Sequence, residues 1–362
     1  MRQPPPGGNR RRFPRALLVL LAAAGVLLAA GGGWLWWQLQ PVSDTSRPVE
    51  LEVLPGWGAS RIAAELKEQG LIRNARVFVQ YVRFSELDRR LGEGLYDLDA
   101  SFSVTETAAV LASPGRPRIV RIVIPEGFRA TAVIDRLTAN DLSSEAEYAE
   151  LVPGLLEEYA WLADGAPEPD ADRPFQPLEG FLFPASYDMP VRSTPEEVLR
   201  QFLERFEQEF AGTWVEDRLG ELGLGVRDWV VLASLVQAEA GNDAEMPVIA
   251  GVFLNRLDDD MPLQSDPTVA YGLDKALPEL DVQAGDMQDG HEWNTYVHPG
   301  VPPTPIGNPG HAALQAVLKA DRVNEDGVPW LYFLHGSHEG EAVFRPNTDY
   351  GQHLEDIETF LR

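Results

Sequence analysis

The stretch RDWVVLASLVQAEAGN, residues 227–242, is apolar on almost every side from Trp229 to Val236 and then reaches an acid. A helix that is hydrophobic all round belongs in the interior of a domain rather than on its surface. At helical spacing Glu239 shares a face with Leu235 and Val236, so its carboxylate projects from the same apolar side. The stretch therefore predicts a buried helix that carries one glutamate at its end.

A carboxyl group in that position is suited to proton transfer. Burial disfavours the ionised form and raises the pKa of a carboxyl group toward neutrality, and the negative end of the helix dipole acts in the same direction. A general acid has to hold its proton at the working pH, so Glu239 is a candidate catalytic acid. The alternative is that Glu239 lies at a wetted, frayed helix end and has no chemical role.

Composition limits the remaining possibilities. The chain has 362 residues, of which 44% are hydrophobic, so we expect a sizeable core and at least two domains. Its 56 acidic and 30 basic residues give a formal charge of −26, which argues against nucleic acid as a partner. Cysteine is absent, which excludes disulfides, thiolate catalysis and cysteine-based metal sites.

The N-terminus differs sharply from the rest of the chain. Residues 1–15 carry five arginines and no acid, and residues 16–37 contain no charge over 22 positions. At about 1.5 Å per residue this run can cross a hydrocarbon layer of about 30 Å as a helix. We expect a cytoplasmic basic tail over 1–15, a transmembrane helix over 16–37, a linker over 38–49, and the rest outside the cell membrane. The alternative is a cleaved signal peptide.

Residues 50–116 predict a small α+β unit. The segment LEVLPGWGASRIAAELKEQGLI (51–72) indicates a strand, a turn and a helix with Ile62, Ala63 and Leu66 inward. Further along, Ser103 and Glu106 have the spacing of a capping box, which marks the start of another helix.

Residues 117–362 predict a larger α+β domain that contains the glutamate-bearing helix. RIVRIVIPEGF (118–128) indicates a strand that opens this domain, followed by a Pro-Glu-Gly turn that leads into a helix. Thr194 and Glu197 form a second capping box with Pro195 between them, and the apolar stripe that follows predicts an amphipathic helix. Glu126 and Glu179 stand in Gly-containing turns, where we expect turn and interdomain contacts rather than catalysis.

Two polar segments follow the predicted catalytic helix. MPLQSDPTVAYGL (261–273) and EWNTYVHPGVPPTPIGNPG (292–310) are rich in amide, hydroxyl and aromatic groups. Such groups bind sugar hydroxyls by hydrogen bonds and sugar faces by stacking. The pattern favours a carbohydrate-binding cleft beside Glu239.

These segments resemble the YceG-like family of membrane-anchored endolytic murein transglycosylases. The resemblance rests on LASLVQAEAG, FLNRL, LQSDPTVAYG and NTYVHPGVPPTPIGNPG, with IPEGF and EGFLFPASY earlier, in the same order from about residue 50 to about residue 347. It implies that 50–116 is a LysM-like subdomain, that 117–362 is the catalytic domain, and that Glu239 is the catalytic acid. The substrate-binding residues that it implies are Gln264, Ser265, Asp266, Thr268, Asn294 and Tyr296. The family commonly has a second acid where this chain has Gln237, a departure that removes one titratable group.

The resemblance implies a specific reaction on peptidoglycan glycan strands. Glu239 would protonate the oxygen of a MurNAc-β-1,4-GlcNAc bond, and the C6 hydroxyl of the muramic residue would attack C1 to give a 1,6-anhydro end. The scheme needs no metal or other cofactor. The implied partners are nascent glycan strands, the cell membrane through the single span, and membrane-bound peptidoglycan synthases.

Two other functions remain open at this stage. Asp266 could activate water and make the enzyme a hydrolytic muramidase, although we favour a capping or orienting role for an Asp before Pro267. The chain could also be a non-catalytic wall-binding scaffold. His335 and His338 in HGSHEG are expected to cap a hairpin loop rather than bind a metal.

Overall fold

The computed structural model describes residues 15–361, with side chains from residue 19 onward. Apart from Arg15, the predicted basic tail therefore lies outside the described residues. The described part mixes helices with short strands, as the sequence predicts. Its elements are α1 (Arg15–Leu39), β1 (Pro48–Val53), α2 (Ala59–Glu68), α3 (Ala75–Phe84), β2 (Gly94–Asp99), α4 (Val104–Leu111), β3 (Ile119–Val123), α5 (Ala130–Thr138), α6 (Glu145–Glu158), α7 (Ala160–Ala163), β4 (Ser186–Pro190), α8 (Pro195–Phe210), α9 (Thr213–Leu222), α10 (Val226–Glu239), α11 (Met246–Asp258), α12 (Asp266–Gly272), α13 (His311–Leu318), β5 (Tyr332–His338), β6 (Glu341–Asn347) and α14 (Tyr350–Phe360).

The chain divides into two compact units, and the boundary falls between Arg118 and Ile119. In the first unit, β1 and β2 form an antiparallel pair, and α2, α3 and α4 pack with them around one core. The predicted inward residues of α2 are buried, namely Ile62, Ala63 and Leu66. Ser103 and Glu106 form the predicted capping box at the start of α4.

Helix α1 has the length and composition needed to cross a membrane. Residues Val19–Leu39 form one apolar stretch whose side chains are exposed except at its end, where Gln38 is buried and Leu39 packs against the core of the first unit. Exposed tryptophans lie near its C-terminal end, at Trp34, Trp36 and Trp37. An exposed apolar helix of this kind is compatible with a membrane anchor, and a signal sequence has the same features.

The second unit is built around α10. Helices α11, α12 and α13 pack against it, and the indole of Trp229 inside α10 donates a hydrogen bond to the carbonyl of Leu314 at 2.8 Å. The two strand pairs of this unit are β3 with β4 and β5 with β6, both antiparallel. The predicted capping box of Thr194 and Glu197 begins α8, with Pro195 in its first turn.

The strand predicted for 118–128 and the Pro-Glu-Gly turn that follows it are both present in the structure. Strand β3 ends at Val123, and the five residues of IPEGF form the turn that leads to α5. This turn packs against the loop before α13. The backbone N–H of Gly127 donates to the carbonyl of Asn308, and Gly307 lies so close to the Gly127 carbonyl that a side chain at Gly307 would clash with it. Pro125 and Gly127 give this segment the chemistry of a turn rather than of a ladder.

Candidate active site

Glu239 is the last residue of α10, and it faces a cleft of about 330 Å³. Every residue from Trp229 to Val236 is buried, so the helix is fixed in the core up to one turn before the acid. Ala240 leaves the helical conformation, and the chain turns away there. Glu239 itself is partly exposed, with its carboxyl group directed into the cleft.

The surroundings of Glu239 favour its protonated form. Burial raises the pKa of Glu239 to about 7, and the nearby carboxylate of Asp266 adds to the rise. A hydrogen bond from Ser265 and the positive charge of Arg256 oppose it. The Ser265 hydroxyl donates to Oε1 of Glu239 at 2.6 Å. Near neutral pH a large fraction of Glu239 therefore holds the proton that a general acid must deliver.

Ser265 is held by two buried hydroxyl groups. Its backbone N–H donates to Oγ1 of Thr295 at 2.9 Å, and Oγ1 of Thr268 donates to its carbonyl at 2.6 Å. Thr268 and Thr295 are also within hydrogen-bond distance of each other, at 2.9 Å. Thr268 is fully buried and does not line the cleft, so it positions Ser265 rather than contacting a ligand there.

Asp266 and Tyr296 line the same cleft and bind each other. The Tyr296 hydroxyl donates to Oδ1 of Asp266 at 2.6 Å. Burial and the adjacent carboxylate raise the pKa of Tyr296, so its phenol stays protonated as a donor. The sequence predicts a capping or an orienting role for Asp266. Asp266 does not cap α12, because it is the first residue of that helix and Ser265 occupies the cap position.

Gln264 lies on the rim of the cleft in an unusual backbone conformation. Its φ of 51° is in the left-handed region, which non-glycine residues rarely adopt. Hydrogen bonds hold both the backbone and the side chain of Gln264. Its backbone N–H donates to the carbonyl of Thr295 at 3.2 Å, and its side-chain oxygen accepts from Arg256 at 3.3 Å. Such residues concentrate at functional sites.

Asn294 is fully buried and does not line the cleft. Its side-chain N–H group donates to the carbonyl oxygens of Asp289 at 2.6 Å and Met287 at 3.2 Å. Its side-chain oxygen accepts the backbone N–H of Tyr296 at 2.9 Å. Asn294 therefore holds the loop that presents Tyr296.

The family can be identified from the whole sequence. The YceG-like family profile matches residues 51–359. The chain belongs to the YceG-like family. It is 29% identical over 319 residues to the endolytic murein transglycosylase of Bacillus subtilis strain 168, covering 84% of each chain. It is 25% identical to the protein of that name from Streptococcus pneumoniae D39, covering 86% of this chain and 58% of that longer one.

A solved structure has the same fold. A putative YceG-like protein from Listeria monocytogenes superposes with a TM-score of 0.55 at 25% sequence identity. The match covers 86% of this chain and 99% of the Listeria chain.

The YceG-like cleft also contains residues that the sequence did not single out. Arg256 is 8% exposed, and its guanidinium donates to the carbonyls of Leu331 at 2.7 Å and Leu263 at 2.9 Å. His353 lines the cleft from α14, where it stacks on Tyr332. Arg256 belongs to the FLNRL motif, so the sequence contained a signal for its place in the site. His353 lies beyond the segments that resemble the family and had no such signal.

His335 is placed differently from the sequence prediction. It lies within β5 and lines the cleft, whereas the turn of the hairpin is at Glu339 and Gly340, so the predicted role in capping the loop is wrong for His335. Nε2 of His335 is 2.9 Å from Oε2 of Glu245, which also accepts the backbone N–H of Gly241 at 2.8 Å. The hairpin is thereby tied to the turn that follows Glu239.

Gln237 does not reach this cleft. Its side-chain oxygen accepts the backbone N–H of Gly310 at 2.9 Å and thereby links α10 to the loop before α13. A carboxylate in this position could accept the same hydrogen bond. The departure from the usual family acid therefore preserves an acceptor for the Gly310 backbone.

Proposed function

We propose that this protein is a membrane-anchored, endolytic lytic transglycosylase of peptidoglycan. It cleaves MurNAc-β-1,4-GlcNAc bonds within nascent glycan strands and leaves 1,6-anhydroMurNAc ends. The observation that carries the proposal is Glu239, a carboxyl group with a pKa of about 7 that faces a polar and aromatic cleft. The names of the Bacillus and Streptococcus relatives support the same activity.

The reaction uses Glu239 twice. In its protonated form it transfers the proton to the glycosidic oxygen, and the C1–O bond breaks through an oxocarbenium-like state. The oxygen of the C6 hydroxyl then bonds to C1 of the same muramic residue, and the ionised Glu239 accepts the proton of that hydroxyl. Protons and electrons balance without water, and the glutamate returns to its starting state.

The neighbours of Glu239 support this cycle. The Ser265 hydroxyl donates to one carboxyl oxygen and leaves the other oxygen available for the substrate proton. When Glu239 is ionised, the same hydroxyl bond and the charge of Arg256 stabilise the carboxylate. Gln264, Asp266 and Tyr296 supply polar groups on the cleft wall for sugar hydroxyls.

The remaining parts of the chain determine where the enzyme acts. Helix α1 anchors the protein in the cell membrane, with the arginines of the N-terminal tail in the cytoplasm and the catalytic unit on the outer, wall-facing side. Residues 50–116 form a LysM-like subdomain, and residues 117–362 form the catalytic domain. Cutting strands as they are made limits their length. Because membrane-bound peptidoglycan synthases make these strands, the enzyme acts close to them.

The test is mass spectrometry of purified peptidoglycan after incubation with the full chain in detergent, beside a Glu239→Gln control. We expect muropeptides one water lighter than hydrolysed products, and their absence with Glu239→Gln. Reducing ends in place of anhydro ends would overturn the lytic reaction in favour of a muramidase that uses Asp266. Absence of any product, with glycan binding retained, would favour a scaffold.

A further inference from the structure

A second cavity of about 300 Å³ lies in the same unit and shares no lining residue with the cleft of Glu239. Helix α12 connects the two sites. Asp266, its first residue, lines the cleft, whereas Tyr271 and Asp274 near its other end line the second cavity. Seven helical residues span about 9 Å, so the cavity lies close enough for one extended substrate to reach both sites.

Two arginines face this cavity from stacked positions. The guanidinium of Arg129 lies 4.8 Å from the ring centre of Tyr271, and that of Arg173 lies 4.6 Å from the ring centre of Trp293. Stacking fixes the plane of a guanidinium and leaves its edge donors available, which is the arrangement that binds a carboxylate with two parallel hydrogen bonds.

The donors of these arginines are only lightly engaged within the protein. Arg129 pairs with Asp274 at 2.6 Å, but the Asp274 side chain is 85% exposed, and such a pair contributes little. Within residues 15–361, Arg173 forms no ion pair, and its side-chain hydrogen bond is a long one of 3.5 Å to the carbonyl of Gly272. Two carboxylates, Asp172 and Asp274, also line the cavity, but both are exposed to solvent, which weakens their competition for the arginines.

Glu179 forms the buried wall of the cavity and is 3% exposed. Its carboxyl group accepts the backbone N–H of Ala130 at 2.8 Å and the hydroxyl of Tyr271 at 3.1 Å, so it ties the start of α5 to α12. Burial raises the pKa of Glu179 to about 7. Near neutral pH this group is therefore partly neutral and does not fully cancel the charge of the two arginines.

We propose that this cavity is a subsite for a carboxylate of the peptide stem that the glycan strand carries, with Arg173 and Arg129 as its ligands. The proposal rests on the transglycosylase function above. Muramic residues bear peptides with free carboxylates, and planar bidentate recognition of a carboxylate is a property of arginine. The cavity thus selects strands whose peptide stems are intact and places the scissile bond at Glu239.

The experiment compares two substrates, native glycan strands and the same strands with their stem carboxylates converted to amides. The full chain in detergent is assayed with Arg173→Gln and Arg129→Gln, and with Arg121→Gln as control, because Arg121 pairs with exposed Asp188 away from the cavity. We expect kcat/KM on native strands to fall about tenfold for each cavity variant, mainly through KM, as loss of a charged hydrogen bond predicts. On amidated strands the cavity variants should equal the unmodified protein.

Equal loss on both substrates, or no loss on native strands, would overturn the subsite. A separate binding arm uses the Glu239→Gln chain and a synthetic stem peptide with free carboxylates, followed by calorimetry. We expect saturable binding that Arg173→Gln removes and that the amidated peptide does not show. If the unmodified chain produces no anhydro ends while the peptide binds in this way, the proposed function fails and the subsite stands. If the peptide does not bind, the subsite fails, whatever the activity.

Discussion

The proton affinity of Glu239 depends on neighbours that come from distant positions in the chain. Arg256 belongs to α11, whereas Ser265 and Asp266 stand at the start of α12. Burial, which raises the pKa of Glu239 most, is a property of the assembled unit and not of any one neighbour. The same balance appears in the stability of the fold, because a group whose pKa differs between folded and unfolded states makes stability depend on pH.

Replacing Glu239 by Gln should change the pH dependence of stability. The pKa of Glu239 is about 7 in the folded protein against an ordinary value of 4.5, so the folded state binds more protons between these pH values and stability is lost as pH rises through that window. Glutamine does not titrate. As pH rises from 4 to 8, we expect the free energy of unfolding of Glu239→Gln to increase by roughly 2 kcal/mol relative to that of the parent, allowing for the partial exposure of the residue.

Thermal unfolding of both proteins across that range, in the same detergent, measures the effect. The difference between the two proteins at pH 4 serves as the reference, because the carboxyl group is then mostly protonated in both states and that difference already includes any effect of packing. A constant difference between the two proteins at all pH values would contradict the raised pKa.

The sequence predicted which residues lie near Glu239 better than it predicted the role of each one. Of the six predicted binding residues, Gln264, Asp266 and Tyr296 line the cleft, Ser265 contacts the acid, and Thr268 and Asn294 are buried behind them. Irregular loops have no period from which to read the direction of a side chain. Whether a small polar residue faces ligand or protein is therefore fixed by its tertiary partners.

At the level of elements, α11 is held against the segment that follows α13. Asn255 donates to the carbonyls of Arg322 at 2.7 Å and Trp330 at 2.8 Å, and Gly251 lies so close that an added Cβ would stand 2.0 Å from the carbonyl oxygen of Asp321. Because Arg256 is on the same helix, this close packing also positions one wall of the cleft.

Gly251→Ala should therefore destabilise the protein by about 1–3 kcal/mol or more, since the clash is with backbone and α11 has to move. Gly220→Ala in α9 is the matched control. Gly220 is also helical, but no atom lies within 4 Å of its added Cβ, so this change should be neutral or stabilise by about 0.5–1 kcal/mol. Urea unfolding of both variants measures the contrast, and equal effects would contradict the close packing of α11.

On the scale of the whole molecule, charge and hydrophobicity are strongly segregated. Five arginines and no acid occupy residues 1–40, and 25 basic against 56 acidic residues follow, a formal charge of −31 for the remainder. Helix α1 separates the arginines from the acidic remainder and exposes apolar side chains from Val19 to Trp37. This arrangement is typical of a single anchor with its basic side in the cytoplasm.

The full chain should float with neutral phosphatidylcholine vesicles in a density gradient, and residues 41–362 should stay at the bottom. The neutral lipid isolates the apolar contribution of α1, because it offers the acidic part of the chain no opposite charge. Equal flotation of both forms would place membrane affinity outside α1, and flotation of neither would contradict the anchor.

Local patterns in the sequence were enough to predict several parts of this protein. The apolar run near the N-terminus, the capping boxes of α4 and α8 and the mixture of helix and strand follow from periodicity and short-range hydrogen bonding, which neighbouring residues specify alone. The order of the motifs likewise indicated the family. Tertiary structure decided the rest: that His335, ninety residues from Glu245, closes one side of the cleft, and that Glu179 and two stacked arginines form a second cavity. These contacts join residues far apart in the chain, and their existence depends on how buried surfaces meet, which no local pattern encodes.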